Sequence, residues 1–347
     1  MNIAALDTPA LAADLDVLER NIEGMATHCD QLGIPLRVHT KTHKVPEIAK
    51  LQIAAGSQGI TCQKLGEAEV MVDAGIDNIL VPYNIVGTPK LKRLTALVQR
   101  AKVIVALDSK ETATGISEQA SADGCVVPVI VELDTGSGRC GVQSPQDAQR
   151  LAQQIMKMSG IDFQGVMTYP SNVRAKPFIE ETLDLLSSDG IPVNIISGGG
   201  TGSEAASKEL GCTETRSGSY VYEGMTRVGS SEMLAPDECV LRVITTVVST
   251  PTPERIIIDG GMKTFASYPP TPYGHIIEHP EAKIYGMSVE HGHVDVSECS
   301  HRFKVGEQLS VIPLHQGMTS NLHDELIGLR DNNVETVWQI AGRGRVS

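Results

Sequence analysis

From about residue 36 to about residue 220 the chain repeats one pattern: a short β-branched run, a polar or glycine-containing turn, then a stretch with helical spacing of apolar residues. The strand-like runs are LRVHT (36–40), GITCQ (59–63), NILVPY (78–83), KVIVALD (102–108), VPVIVELD (127–134), FQGVMTY (163–169), VNIISG (193–198) and TETRSGSY (213–220). Between them lie PEIAKLQIAAG, LGEAEVMVDAG, PKLKRLTALVQRA and SPQDAQRLAQQIMKM, the last opening on Ser144 as a helix cap. The strands are nearly continuous apolar runs, which suits a parallel sheet covered on both faces. Eight such units predict a (β/α)8 TIM-type barrel, with a doubly wound open sheet as the alternative.

Beyond about residue 236 the pattern changes to strands without long helices between them: CVLRVITTVVS, ERIIIDGG, AKIYGMSVE, EQLSVIP and ETVWQIAG. An α/β chain of two domains is therefore expected. The barrel would span 12–235, and a C-terminal all-β domain 236–347 would take in about residues 1–11, with Leu11 to Asp14 pairing into its sheet. At 347 residues, 41% hydrophobic and 20% charged, the chain can bury cores of that size. Its 42 acidic and 29 basic residues leave a formal charge of −13, which repels a phosphate backbone, so no nucleic-acid partner is expected. Seven scattered cysteines without a C-x-x-C pair argue against a disulfide framework or a zinc ribbon and fit a reducing cytoplasm. The start MNIAALDTPALAADL has no basic leader pattern and no apolar run is long enough to span a bilayer, so neither secretion nor a membrane is expected.

A (β/α)8 barrel carries its active site at the C-terminal strand ends, so the residues that follow each strand matter most. The first strand runs into His39-Thr40-Lys41-Thr42-His43-Lys44, where crowded cationic groups would lower a lysine's pKa and raise its nucleophilicity, unless this is only a solvated basic turn. The seventh ends in Ser197-Gly198-Gly199-Gly200-Thr201-Gly202 ahead of a helix, a sequence whose amides can converge on a phosphate, and Ser217-Gly218-Ser219-Tyr220 could complete the cradle. The fifth presents Arg139 among glycines, and Tyr169 closes the sixth. A nucleophilic lysine, a phosphate nest and an arginine facing one mouth describe a pyridoxal 5′-phosphate site.

With these motifs the chain resembles the D-threonine aldolase and D-serine dehydratase family of alanine-racemase-like, fold-type III pyridoxal phosphate enzymes, over nearly its whole length. The markers are Thr8-Pro9-Ala10-Leu11, the His39 to Lys44 run, the Asp134 to Gly141 loop, Gly198 to Gly202 and Gly218-Ser219-Tyr220. Asp259-Gly260-Gly261, Glu290-His291-Gly292 and Ile312-Pro313-Leu314-His315 followed by Asn321-Leu322-His323-Asp324 extend the match through the C-terminal part. The resemblance implies that Lys41 carries the cofactor, with Gly199, Gly200 and Thr201 on its phosphate, helped by Ser219 or Tyr220. It also implies Arg139 near the phenolic oxygen and Tyr169 near the ring.

Two positions depart from the family pattern. A divalent metal (manganese, magnesium or zinc) is usually held by His-x-Cys or His-x-Asp, but here His315-Gln316-Gly317 keeps only the histidine, with His323, Asp324 or a water-bridged carboxylate left to complete a site. Where Tyr-x-Gly-His is common, this chain has Tyr169-Pro170-Ser171-Asn172, so His315, His43 or His291 would have to handle the proton.

The resemblance implies a lyase that cleaves a D-threonine-like β-hydroxy-D-amino acid to glycine and an aldehyde, with Lys41 and His315 as catalytic residues. The alternative is a D-serine or D-hydroxyaspartate-type dehydratase giving a 2-oxo acid and ammonia, and an amino-acid racemase is third. A non-catalytic cofactor carrier is disfavoured by the second domain. By the same analogy the partner is a small D-amino acid and the assembly a homodimer.

Overall fold

The computed structural model describes residues 1–225, 234–267 and 271–347. In chain order the strands are β1 (Ala10–Asp14), β2 (Val38–His39), β3 (Ile60–Thr61), β4 (Asn78–Val81), β5 (Lys102–Leu107), β6 (Val127–Leu133), β7 (Ile161–Thr168), β8 (Ile195–Gly199) and β9 (Glu214–Arg216). They continue as β10 (Leu241–Thr252), β11 (Arg255–Ile258), β12 (Gly274–Ile276), β13 (Lys283–Met287), β14 (Gly292–Asp295), β15 (Gln308–Pro313), β16 (Glu325–Arg330) and β17 (Asn333–Gln339). The helices are α1 (Leu15–Leu32), α2 (Pro46–Ala54), α3 (Leu65–Asp73), α4 (Thr88–Val98), α5 (Lys110–Ala122), α6 (Pro145–Ile155), α7 (Lys176–Ser188), α8 (Glu204–Glu209) and α9 (Gln316–Ser320).

Contacts divide the chain into two units. One comprises Gly24–Lys41, Ile48–Gly218 and Arg345–Ser347; the other comprises Met1–Glu23, Thr42–Glu47 and Ser219–Gly344. In the first, β2 to β9 pair in sequence order, and every pairing is parallel. The two ends meet: Leu36 bridges Thr215, the Arg37 amide donates to Thr215 O at 2.9 Å, and the His39 amide donates to Ser217 O at 2.8 Å. The expected eight-stranded barrel is the one observed, and each of the eight runs read from the sequence overlaps one of its strands.

Local chemistry explains the alternation. The Ser144 side chain caps α6 by accepting from the Asp147 amide, Pro145 sits in its first turn, and Ala148, Leu151, Ala152 and Ile155 line its buried face at helical spacing. Ser109 caps α5 in the same way. One core cluster joins Leu80, Ile104, Ala106, Ile130 and Met167 from four successive strands, each large side chain contributing roughly 1.5–3 kcal/mol on burial.

The second unit is a nine-stranded sheet in the order β11-β14-β13-β12-β15-β10-β1-β16-β17, and β10 also pairs with β11. The first six strands of that order therefore form a closed ring of pairings, with irregular register in β10 beyond Val247. The early strand β1 lies antiparallel to β10 and parallel to β16, as the Leu11 to Asp14 expectation required. Ser219–Val221 forms a 3-10 turn of this unit, and the Val240 amide donates to Tyr222 O at 3.1 Å. The contact boundary thus falls at Gly218/Ser219, whereas the change of sequence pattern falls near residue 236. Among the described residues no helix is long and apolar enough to cross a membrane.

Candidate functional site

Lys41 follows β2 directly and stands at the barrel mouth. Its amide reaches back to His39 Nδ1 at 3.4 Å, and its Nζ lies 5.7 Å from the centre of the Tyr169 ring. Although its side chain is exposed by area, crowding by protein atoms lowers its pKa below the 10.5 usual for a lysine. The guanidinium groups of Arg139 and Arg216 lower it further, against a smaller upward pull from Glu67. Arg139 stands over the same ring, 4.9 Å from Cζ to the centre, and donates to the buried Glu132 carboxylate at 3.0 Å. Lys41, Tyr169 and Arg139, read from three separate strand ends, are thus brought together.

The glycine loop departs from a simple open nest. Gly199 donates its amide to Ser171 Oγ at 2.8 Å, and Gly200 donates to Arg216 O at 2.7 Å. Their lack of a side chain is what the site needs: a Cβ on Gly199 would lie 2.7 Å from Arg216 Cβ and from its carbonyl oxygen. A Cβ on Gly200, where φ is 119°, would meet Ser203 Oγ at 3.0 Å and Tyr169 Cε2 at 3.7 Å. Thr201 Oγ1 accepts from the Gly218 amide at 3.1 Å, which ties the seventh strand mouth to the eighth. The helix that follows, α8, is only six residues long.

Sequence reasoning missed three buried charges behind this mouth. Arg216 on β9 donates to Thr168 O at 2.7 Å and contacts Ser197 Oγ; burial lowers its pKa, and the nearby Glu214 and Glu132 carboxylates oppose that. Glu204 accepts from the Gly202 amide at 3.1 Å and from Ser217 Oγ at 2.5 Å, so a carboxylate holds the glycine loop in shape. Glu67 on α3 accepts from the Gln63 amide at 2.8 Å, while the Gln63 side chain meets His39 Nε2 at 3.1 Å. The available signal was a charged residue inside or just after an otherwise apolar strand, which Arg216 and Glu132 both show.

The remaining expected residues belong to the sheet unit. Ser219 and Tyr220 open its 3-10 turn, with Tyr220 buried. Lys44 is buried, has φ 58° and donates to Asn321 Oδ1 at 2.8 Å. His43 is buried with its Nδ1 accepting from the Val45 amide at 3.1 Å, and its ring meets Tyr222 edge-on. His291 is exposed, at a turn in which its carbonyl accepts from the Ser288 amide at 2.8 Å.

His315 caps α9, its Nδ1 accepting from the Met318 amide at 3.1 Å. Gly317 offers no donor of its own, but a Cβ there would sit 3.5 Å from Thr42 Cα and O, an ordinary contact. His323 directs Nε2 at Thr264 O, 3.0 Å away, and Asp324 pairs with Arg343 at 2.7 Å. Among the described residues no three-donor cluster forms around His315.

The alanine racemase N-terminal domain model matches residues 13–226, and a serine dehydratase domain model matches residues 240–329. A D-threonine aldolase of Arthrobacter sp is 36% identical, the match covering 99% of this chain and 94% of the relative. A 3-hydroxy-D-aspartate aldolase of Paracoccus denitrificans is 31% identical over the same shares. The crystal structure of D-threonine aldolase from Filomicrobium marinum superposes with a TM-score of 0.91 at 32% identity, covering 99% of this chain and 97% of that one.

Proposed function

The chain belongs to the alanine racemase N-terminal domain family, and on that premise we propose that it is a pyridoxal phosphate-dependent lyase cleaving a D-threonine-like β-hydroxy-D-amino acid to glycine and an aldehyde. The observation that carries the reading is the lysine of lowered pKa beside Tyr169 and Arg139, at the mouth of a barrel whose glycine loop cannot accept a side chain. The residues present fit the cofactor. Lys41 would hold its aldehyde carbon, Tyr169 its ring and Arg139 its phenolic oxygen. Thr201, with Ser219 and Tyr220, would hold its phosphate, while Gly199 and Gly200, whose amides are engaged by Ser171 and Arg216, would lend the loop its close approach rather than donors. Bound pyridoxal phosphate supplies an electron sink for the pair released when a bond to the substrate's Cα breaks.

The protein's own groups set up that chemistry. A lowered pKa raises the share of Lys41 that is neutral near physiological pH, and only the neutral amine can act as nucleophile or accept a proton. Arg139 and Arg216 add positive charge at the mouth, which favours anionic phosphate and carboxylate groups. Glu132 pins Arg139 so that its guanidinium stays over Tyr169. His315 is the group we assign to the substrate hydroxyl, where an imidazole can take the proton that leaves as the Cα–Cβ bond breaks. No step is routed through a metal, because His315 lacks its usual second donor. A small D-amino acid as partner, a homodimer and a cytoplasmic setting complete the proposal.

Incubating the cofactor-loaded protein with D-threonine, with and without manganese, tests it. Glycine and acetaldehyde are expected, and Lys41→Ala should lose both the visible absorbance of the loaded protein and more than ~10³-fold in rate. Ammonia with 2-oxobutyrate would instead make the enzyme a dehydratase, and retention of the absorbance by Lys41→Ala would remove that lysine from its role.

A further inference from the structure

In the sheet unit, well outside the residues assigned above, His279, His301 and Glu307 bring one ligand atom each to within 4.8 Å of one another. We propose that these three side chains form a binding site for a borderline divalent transition metal, with zinc as its representative. His279 follows β12, in a turn closed by the Ala282 amide donating to His279 O at 3.0 Å. His301 and Glu307 come from the segment between β14 and β15.

The carboxylate and one imidazole are already joined before any ion arrives. Glu307 is anchored at its backbone, where the Val247 amide donates to its carbonyl at 2.8 Å, and its Oε2 accepts from the Lys304 amide at 3.0 Å. Its Oε1 lies 2.7 Å from His301 Nε2. The two imidazoles stack with centres 4.5 Å apart, and Phe303 packs edge-on against both, at 4.7 and 4.8 Å. A histidine–glutamate hydrogen bond needs one imidazole; it gives no reason for a second ring to be stacked beside it with its nitrogen in reach of the same carboxylate.

Two imidazoles and a carboxylate are the donor set that suits zinc, copper and nickel rather than calcium or magnesium. With metal–nitrogen bonds of ~2.0–2.1 Å the donors of a tetrahedral site stand roughly 3.3 Å apart, so ring and carboxylate rotations close the set without moving the backbone. His301 is exposed and the other two are half-buried, which leaves water to fill the fourth position. Glu278, Glu281, Asp295 and Glu298 add negative charge in the same two segments, against Arg302 and Lys304. An ion held there would cross-link the turn after β12 to the segment before β15.

Zinc titration of the cofactor-loaded protein against a chromophoric chelator tests the site. One zinc per chain is expected in the wild type. Loss of a ligand in His301→Ala or Glu307→Gln should weaken it by at least ~100-fold, more than an outer-shell change costs. His315→Ala should bind as the wild type does, and zinc should raise the melting temperature of the wild type but not of Glu307→Gln. Glu307→Gln keeps the acceptor for the Lys304 amide and so decides the matter even if His301→Ala folds poorly. Wild-type affinity in both ligand variants, loss of zinc in His315→Ala, or no stoichiometric binding at all would each overturn the proposal.

Discussion

Two arginine–carboxylate clusters, one in the barrel and one in the sheet unit, sit in opposite surroundings. In the barrel, Arg37 meets Glu214 at 2.8 Å with both side chains only 4% exposed, and Glu214 also accepts from Gln58 and Ser197, each at 2.6 Å. In the sheet unit, Arg330 gathers Asp16, Glu19 and Glu335 at the surface, with about a third of its own side chain open to solvent. Buried charge is tolerable only where its lone pairs find donors, and the barrel provides them for Glu214 at the N-terminal strand ends, opposite the mouth. At the mouth a separate crowding, by protein atoms with Arg139 and Arg216, lowers the pKa of Lys41. The two pairings therefore differ in setting: one ties strand starts together inside the barrel, the other lies on a surface.

The largest expected effect breaks the barrel side of this contrast. Arg37→Met strands the Glu214 carboxylate and should cost ~3–5 kcal/mol in denaturant unfolding, whereas Arg330→Met should barely move the midpoint. Equal effects would show that burial does not separate the two clusters. A smaller effect concerns Gly317. Because a Cβ there makes only ordinary contacts, Gly317→Asp should fold normally and gain a manganese-dependent rise in aldol cleavage of about tenfold or more, the scale on which metal-site groups act. An unchanged rate with manganese bound would show that His315 has no metal role to regain.

The smallest effect is in pH dependence. Lys41 binds fewer protons in the folded apo-protein than in the unfolded chain between its lowered pKa and 10.5, so stability should rise with pH across that window. The rate of pyridoxal phosphate uptake should rise with pH through the same lowered pKa. An uptake profile with its midpoint at or above 10.5 would contradict the crowding that sets the barrel mouth apart.

Legibility also divided along this line. The eight barrel strands could be read because each is a local apolar run that pairs with its neighbour in sequence, so order along the chain is order in space. In the sheet unit β10, β11, β13, β15 and β17 were visible, but β12, β14 and β16 were not. GHI and GHVD are too short and polar to stand out, and ELIGLR carries a glycine that lies against Leu15 and Thr336. Their order depends on distant partners that periodicity does not encode. At the site, Lys41, Arg139 and Tyr169 were readable from strand ends, while Arg216, Glu204 and Glu67 were not: the Arg216 bond to Thr168 O needs two distant strands brought together, and Glu204 and Glu67 cap nearby amides without a motif that marks them.

The position of β1 has a consequence for how the protein is made. Ala12 pairs with Arg242 on one side and with Ile327 on the other, so β1 waits for two strands that are synthesised much later. At a synthesis rate of ~5–20 residues per second, the wait for β16 is roughly 15–60 s, during which barrel units can close one after another as they emerge. Until β10 emerges, the short apolar run Ala10 to Ala13 has no partner strand, and until β16 emerges its other edge stays open. A growing chain of this protein is exposed to misassociation at β1, and a chaperone that engages it early has there an edge to guard.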